Sequence, residues 1–207
     1  MKSYENNHLD PWTLFSNYIE EPKMIPSRKI CYQLIKEMKM FDHIAAHSEQ
    51  VCRVALCLVA HMNNRSDRLN RNLVQAAALL HDITKTRSFD TGEDHALTGE
   101  QFLAERGYPE VGHIVGQHVR LEAYFNGPVP DEAQIINYAD KRVLHDEVVS
   151  LERRMAYIVE RYGKGSGREE RIQWLWKQSR RLEERLFEHI EFAPDALEDH
   201  LLDVSPG

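Results

Sequence analysis

The sequence predicts an all-α fold, a single helical bundle with further helices at both ends. Three observations carry that reading. Apolar residues recur at a 3.6-residue period in several segments, helix-capping residues stand just before those segments, and no alternating run of β-branched and aromatic residues bounded by turns is visible. With 207 residues, 42% of them hydrophobic, the chain can bury one sizeable core and is too apolar for wholesale disorder.

The elements run in order along the chain. Asp10-Pro11 reads as an N-cap followed by proline at the first helical position, inside an N-terminal extension over residues 1–26. Ser27 opens a helix to about Lys39, with Ile30, Leu34 and Met38 one turn apart. Residues 47–62 repeat apolar side chains at Val51, Val54, Ala55, Leu58 and Val59. Residues 73–83 form an Ala/Leu helix opened by Asn70 or Asn72. Residues 87–94, polar and holding Gly92, read as a loop. Asp94 caps a helix through Arg106 that Gly107 stops, and Pro109 starts another to about Val119. Residues 126–130 break the chain. Asp131 then caps a long helix to about Tyr162, residues 163–167 form a break, and residues 168–190 are the last helix. The expected division is an extension over 1–26, a core domain over 27–162, and a C-terminal helix with an acidic tail over 163–207.

Charge narrows the partners. The net charge is −7, from 33 acidic and 26 basic residues, so coating of nucleic acid is not expected. Residues 152–185 carry ten Lys/Arg against six Glu, whereas residues 186–207 carry six acids and no Lys or Arg. The arginine-rich stretch reads as a solvated helical face with i,i+4 pairs, an anion-binding surface being the alternative. The longest apolar run, residues 54–60, is far short of the roughly 20 residues that span a bilayer. Cys31, Cys52 and Cys57 make no CxxC pair, and the start MKSYENNHLD has no secretory pattern; a cytoplasmic location away from membranes is the expectation.

Several titratable residues fall on apolar helical stripes. His47 shares a face with Val51, Val54 and Leu58. His81 follows Val74, Ala77 and Ala78, and His118 follows Val111, Ile114 and Val115. Asp140 lies between Ile136 and Val143, where an ionised carboxylate is costly unless paired or coordinated. One such residue is usually a satisfied core group. Four on separate helices point to a metal site between facing helices of a bundle. The neighbour Asp82 has two oxygens and could bridge two ions as histidine cannot.

These residues stand in a known pattern. The segments HSEQVCRVAL (47–56), AALLHDITK (77–85), HALTGEQFL (95–103), IVGQHV (114–119) and YADKRV (138–143) resemble the HD-domain metal-dependent phosphohydrolase superfamily, and most closely its small HDIG-type members. The resemblance covers residues 27–162. It implies that His47, His81, Asp82 and Asp140 bind a first metal, and that His95 and His118 hold a second with Asp82 bridging. It also implies that Lys85 faces substrate phosphate and, with Asp82, acts in catalysis. The glycine expected after His-Asp-Ile is Thr84 here, a departure that bears on the aim of Lys85 rather than on the ligands. His43 is the alternative first ligand. Arg87 and Arg120 flank ligands as further substrate-binding cations, and Arg142, with Lys141 and His145, could line the pocket mouth. His8, His61, His113, His189 and His200 read as surface residues.

Imidazole and carboxylate without thiolate suit one or two ions of Fe, Mn, Co, Ni or Zn. Paired ions generate hydroxide for in-line attack at phosphorus and clamp phosphoryl oxygens. The expectation is hydrolysis of a phosphate ester or anhydride, of a nucleotide first of all. No GxxxxGK[ST] cradle is present, so no ATP-driven step and no organic cofactor are expected. Two alternatives stand beside it: a mixed-valent di-iron oxygenase, whose lid tyrosine has no counterpart in LIKEMKM (34–40), and a non-catalytic nucleotide sensor or interaction module.

Overall fold

The computed structural model describes residues 25–63, 68–125, 127–165 and 167–201. The N-terminal helix expected after Asp10 lies outside them. The fold is all-α apart from one very small hairpin. Helix α1 (Arg28–Glu37) is capped by Ser27, whose hydroxyl accepts from the Ile30 amide. Helix α2 (Asp42–Asn63) begins a full turn before the first apolar repeat, with Asp42 in its first turn facing the positive helix end. Helix α3 (Arg71–Leu80) is capped by Asn70, whose side chain accepts from the Asn72 and Leu73 amides.

Of the loop expected over residues 87–94, only residues 92–94 are irregular. Lys85–Thr91 form helix α4, closed by Gly92 in the left-handed conformation at φ 70°. No residue of α4 is buried, so it lacks the apolar stripe by which a helix shows itself in sequence. Helix α5 (His95–Glu105) is capped by Asp94, and α6 (Pro109–Gly116) starts at its proline. A Cβ on Gly112 would stand 2.7 Å from the Glu100 carbonyl oxygen, so glycine there lets α5 and α6 pack backbone to backbone.

The expected α6 end at Val119 and the single helix over 131–162 are both corrected. Helix α6 stops at Gly116, because the carbonyls of Gln117 and His118 are taken by the Asn137 side-chain amide, each at 3.0 Å. Helix α7 (Glu132–Lys141) opens with a capping box between Asp131 and Gln134 and ends at Arg142. Strands β1 (Val143–Leu144) and β2 (Glu147–Val148) then pair antiparallel around a two-residue turn, with His145 at φ 58°. Ser150 caps a new helix, α8 (Leu151–Tyr162).

Helix α9 (Arg168–Phe187) ends before residue 190. As far as residue 201, the acidic segment beyond it packs on the core. After a 3₁₀ turn at Pro194–Ala196, helix α10 (Leu197–His200) buries Leu197, and Leu201 enters the core behind it. Leu182, Leu186 and Ile190 join the same core. Helix α2 packs on α3 and α7, α3 on α6 and α7, and α8 and α7 on α9. The α3 segment Leu73–Leu80 is buried all round. Each fully buried side chain such as Leu58, Leu79 or Ile136 contributes about 1.5–3 kcal/mol of transfer free energy. This rigid centre positions the polar cluster. Among the described residues, no helix is long and apolar enough to cross a membrane.

Candidate metal centre

The six histidines and aspartates come together from five places in the fold. Helix α2 supplies His47, the turn after α3 supplies His81 and Asp82, and the first residue of α5 is His95. The turn after α6 supplies His118, and α7 supplies Asp140. His47 Nε2 is 3.1 Å from Asp140 Oδ1, and His81 Nε2 is 3.8 Å from the same oxygen. Asp82 sits between two groups. Its Oδ2 is 3.4 Å from His81 Nε2, while its Oδ1 is 3.3 Å from His95 Nε2 and 3.4 Å from His118 Nε2.

The ring orientations are set by the backbone. His47 Nδ1 donates to the His145 carbonyl at 2.8 Å, His81 Nδ1 to the Ala78 carbonyl at 2.8 Å, and His118 Nδ1 to the Val115 carbonyl at 2.7 Å. A carbonyl can only accept, so each Nδ1 carries a proton and each ring turns its Nε2 inward. This is the orientation a metal-binding imidazole needs. His118 is held neutral: burial pushes its pKa down despite Asp82 beside it. Burial opposes charge on Asp82 and Asp140, yet His81 and Lys85 beside the first, and His47 and Arg154 beside the second, hold both well below the usual carboxylate range. Burial also opposes charge on His81, but Asp82 and Asp140 raise its pKa.

Two orphaned atoms test the fit to a metal. Asp82 Oδ1 and His81 Nε2 are buried and have no hydrogen-bond partner among the described residues. Asp82 Oδ1 faces the lone pair of His118 Nε2, so acceptor meets acceptor, an arrangement that only an intervening cation or proton stabilises. The spacings agree. His95 Nε2 and His118 Nε2 lie 3.2 Å apart. Two donors at metal distance from one ion stand about 3.0–3.4 Å from each other. His47, His81 and Asp82 form one set able to hold an ion, and Asp82, His95 and His118 form another. The residues fit divalent metal.

Of the expected substrate-binding cations, Lys85 alone reaches this cluster, with Nζ 2.6 Å from Asp82 Oδ2. Burial works against its charge, but Asp82 and Asp140 raise its pKa. Arg87 instead pairs with Glu93 at 2.6 Å on the surface, and Arg120 lies over the Trp174 ring at 5.9 Å. Arg142 is a structural residue: it is buried, and it donates to the carbonyls of Val149 and Pro194, to Tyr138 and to Glu183. Helix α7 ends at this residue and turns it toward α9. Lys141 is also buried rather than at a pocket mouth, donating to the His118 carbonyl and to both oxygens of Asn137. Burial brings its pKa down to about 8. His145 contributes its carbonyl to the centre while its ring packs edge-on against Tyr157 at 5.7 Å. His43 is exposed beside Phe41 and outside the cluster. His61 and His200, read as surface residues, are half-buried and pack on Phe192.

Three residues around the centre have roles that sequence reasoning does not give, and Thr84 bears on the ligand His95 rather than on Lys85 alone. Thr84, in the place of the glycine, is buried and donates its hydroxyl to the His95 carbonyl at 2.8 Å. Asn137 ties the His118 backbone to α7. Arg154, one arginine in a run of them, points its Nη2 at Asp140 Oδ1 from 3.9 Å.

Residues 44–143 match the family model of the HD domain. This chain carries an HD domain. The matched segment contains all six cluster residues, and its ends fall in α2 and β1. Two curated relatives share part of the sequence. A protein of Picrophilus torridus named tRNA (cytidine(56)-2'-O)-methyltransferase is 31% identical over 146 residues, covering 64% of this chain and 41% of that protein. Its namesake in Thermoplasma volcanium is 29% identical over 155 residues, covering 69% of this chain and 43% of that protein. The chain thus spans about two fifths of the length of these relatives. No solved structure matches the chain significantly.

Proposed function

We propose that this HD-domain protein is a divalent-metal-dependent phosphohydrolase that cleaves a phosphate ester or anhydride of a small molecule, a nucleotide first of all. One observation carries the reading. The two oxygens of Asp82 face different histidines, Oδ2 toward His81 and Oδ1 toward His95 and His118, and one of them is buried without a donor. Divalent ions held there, of Fe, Mn, Co, Ni or Zn, supply Lewis acidity toward phosphoryl oxygens and bring bound water toward deprotonation at neutral pH.

The remaining work falls to the chain. The carbonyl anchors of His47, His81 and His118 fix their rings with Nε2 turned inward. Asp140 holds negative charge against His47 and His81, and Asp82 does so at the centre. Lys85, the half-buried ammonium at the cluster, faces incoming phosphate and offsets the charge that develops on it during transfer. The relatives' name speaks of methyl transfer, whereas a cluster of imidazoles and carboxylates is suited to ions and phosphate.

The test is phosphate release from a panel of nucleotides and of simple phosphate esters, with manganese- or iron-loaded protein, in air and under argon. Release from at least one of them with manganese under argon is the expected outcome. A strict requirement for oxygen would replace the hydrolase with the di-iron oxygenase. Nucleotide binding with no product would replace it with the sensor. Intact tRNA in the same panel is expected to release nothing.

A further inference from the structure

Helix α8 lies beyond the matched HD segment, yet it brings a cation to the centre. Arg154, in the first turn of α8, has a side chain only 15% exposed, with Nη2 3.9 Å from Asp140 Oδ1. Its Nε is buried and finds no hydrogen-bond partner among the described residues. Tyr157, one turn on, lies beside the guanidinium, 5.9 Å from its ring centre. Guanidinium has five donors and no acceptor, and a single long ion pair leaves most of them unused. Lys85 reaches the cluster from α4, its Nζ at Asp82. Each of the two carboxylates therefore has one cationic side chain beside it.

Charge arithmetic gives this pair a purpose. Asp82 and Asp140 balance Lys85 and Arg154, and an imidazole that binds a metal through Nε2 adds no charge. Any divalent ion bound to the carboxylates leaves the centre with at least two units of excess positive charge. Such an excess in a half-enclosed site calls for an anion carrying more than one charge. The planar fork of arginine matches two oxygens of a phosphate group, whereas the lysine ammonium acts as a point charge.

We propose that Arg154 and Lys85 clamp the phosphate group of the substrate from two sides, with Arg154 selecting a doubly charged phosphate monoester over a singly charged diester. This substrate class rests on the hydrolase reading above; the phosphate site itself is tested without turnover. Inorganic phosphate is titrated calorimetrically into the manganese-loaded full chain, as wild type, R154Q and R154K, with metal content measured alongside. R154Q is expected to keep its metal and bind phosphate roughly 10- to 100-fold more weakly, as loss of charge-assisted hydrogen bonds implies. R154K, which restores charge without the fork, is expected to fall between. Wild-type phosphate affinity in metal-replete R154Q overturns the clamp, and so does loss of metal in step with loss of phosphate, since Arg154 would then serve Asp140 alone. Should R154Q fail to fold, R154K decides: weaker phosphate binding at unchanged metal content supports the clamp, and unchanged binding overturns it. Arg154-dependent phosphate binding in a protein that cleaves no ester leaves the site standing and the hydrolase reading overturned. Ester cleavage in which R154Q keeps the wild-type KM for monoester and diester alike does the reverse.

Discussion

The two halves of the histidine–aspartate cluster have similar donors and different supports. His47 and His81 stand in a half with two carboxylates, Asp82 and Asp140, and both rings are pinned by backbone carbonyls. His118 in the other half is pinned the same way, but its partner His95 sits at the open start of α5 with its side chain 24% exposed. Among the described residues, Asp82 is the one carboxylate grouped with His95 and His118. Donor type alone therefore does not set how firmly a site holds an ion. Carboxylate count, burial and ring anchoring all favour the His47 half, so the two sites are expected to fill in order, the His95 half second.

The most severe disruption is to remove what the halves share. Asp82→Ala takes an oxygen from both and leaves His81, His95 and His118 facing one another. We expect metal content by elemental analysis to fall below one ion per chain, turnover to vanish, and the metal-dependent part of the thermal midpoint to disappear. Metal retention and activity in this variant would remove Asp82 from the centre.

The next change acts on one half. Replacing His95 and His118 together with alanine is expected to leave about one ion per chain, held at His47, His81, Asp82 and Asp140, with the fold retained. Two ions retained, or none, would show that the halves are not separable in this way. In the wild type the same asymmetry should appear as two binding steps in a manganese titration followed by electron paramagnetic resonance.

These expectations divide according to what a sequence can display. His47, His81 and His118 are legible because titratable groups interrupt apolar stripes on α2, α3 and α6, and the caps at Ser27, Asn70, Asp94 and Asp131 mark helix starts. His95 carries no such mark and enters only by resemblance. Helix α4 is invisible because it buries nothing. The break after α7 is hidden because residues 143–150 also read as helix, and that misreading carries Arg142 to the site and leaves Arg154 in a solvated face. Which arginine meets Asp140 is decided by the hairpin, a tertiary choice that spacing along the chain does not reveal.

A smaller effect concerns the support behind His118. Lys141 is buried against the His118 and Asn137 carbonyls, with its pKa brought down to about 8 by burial. The unfolded chain keeps this lysine protonated up to about 10.4, so between those values the unfolded state binds more protons and stability rises with pH. Below the lower value the fold carries the full penalty of the buried charge. Denaturant unfolding of metal-free protein should show that rise above pH 8, and Lys141→Met should flatten it. A slope unchanged in the variant would mean that another group is responsible.

The smallest expected effect separates the two halves most finely. Thr84→Val keeps shape and removes the hydroxyl that holds the His95 carbonyl. Affinity for the second ion should fall by about tenfold or less, and that for the first should not change. Equal losses at both steps would mean that Thr84 supports the α3–α4 turn as a whole.

The ring anchors carry a consequence for how this centre tolerates change over time. The acceptors at Ala78, Val115 and His145 are main-chain carbonyls, which every amino acid possesses. No point substitution at those three positions deletes an acceptor, so the aim of the histidines is insured against ordinary sequence drift. The exposure lies elsewhere, in insertions and deletions that shift the path of the backbone. The two-residue turn at His145, already in the left-handed region at φ 58°, is where lengthening the chain by one residue would misdirect His47 while leaving every ligand in the sequence intact.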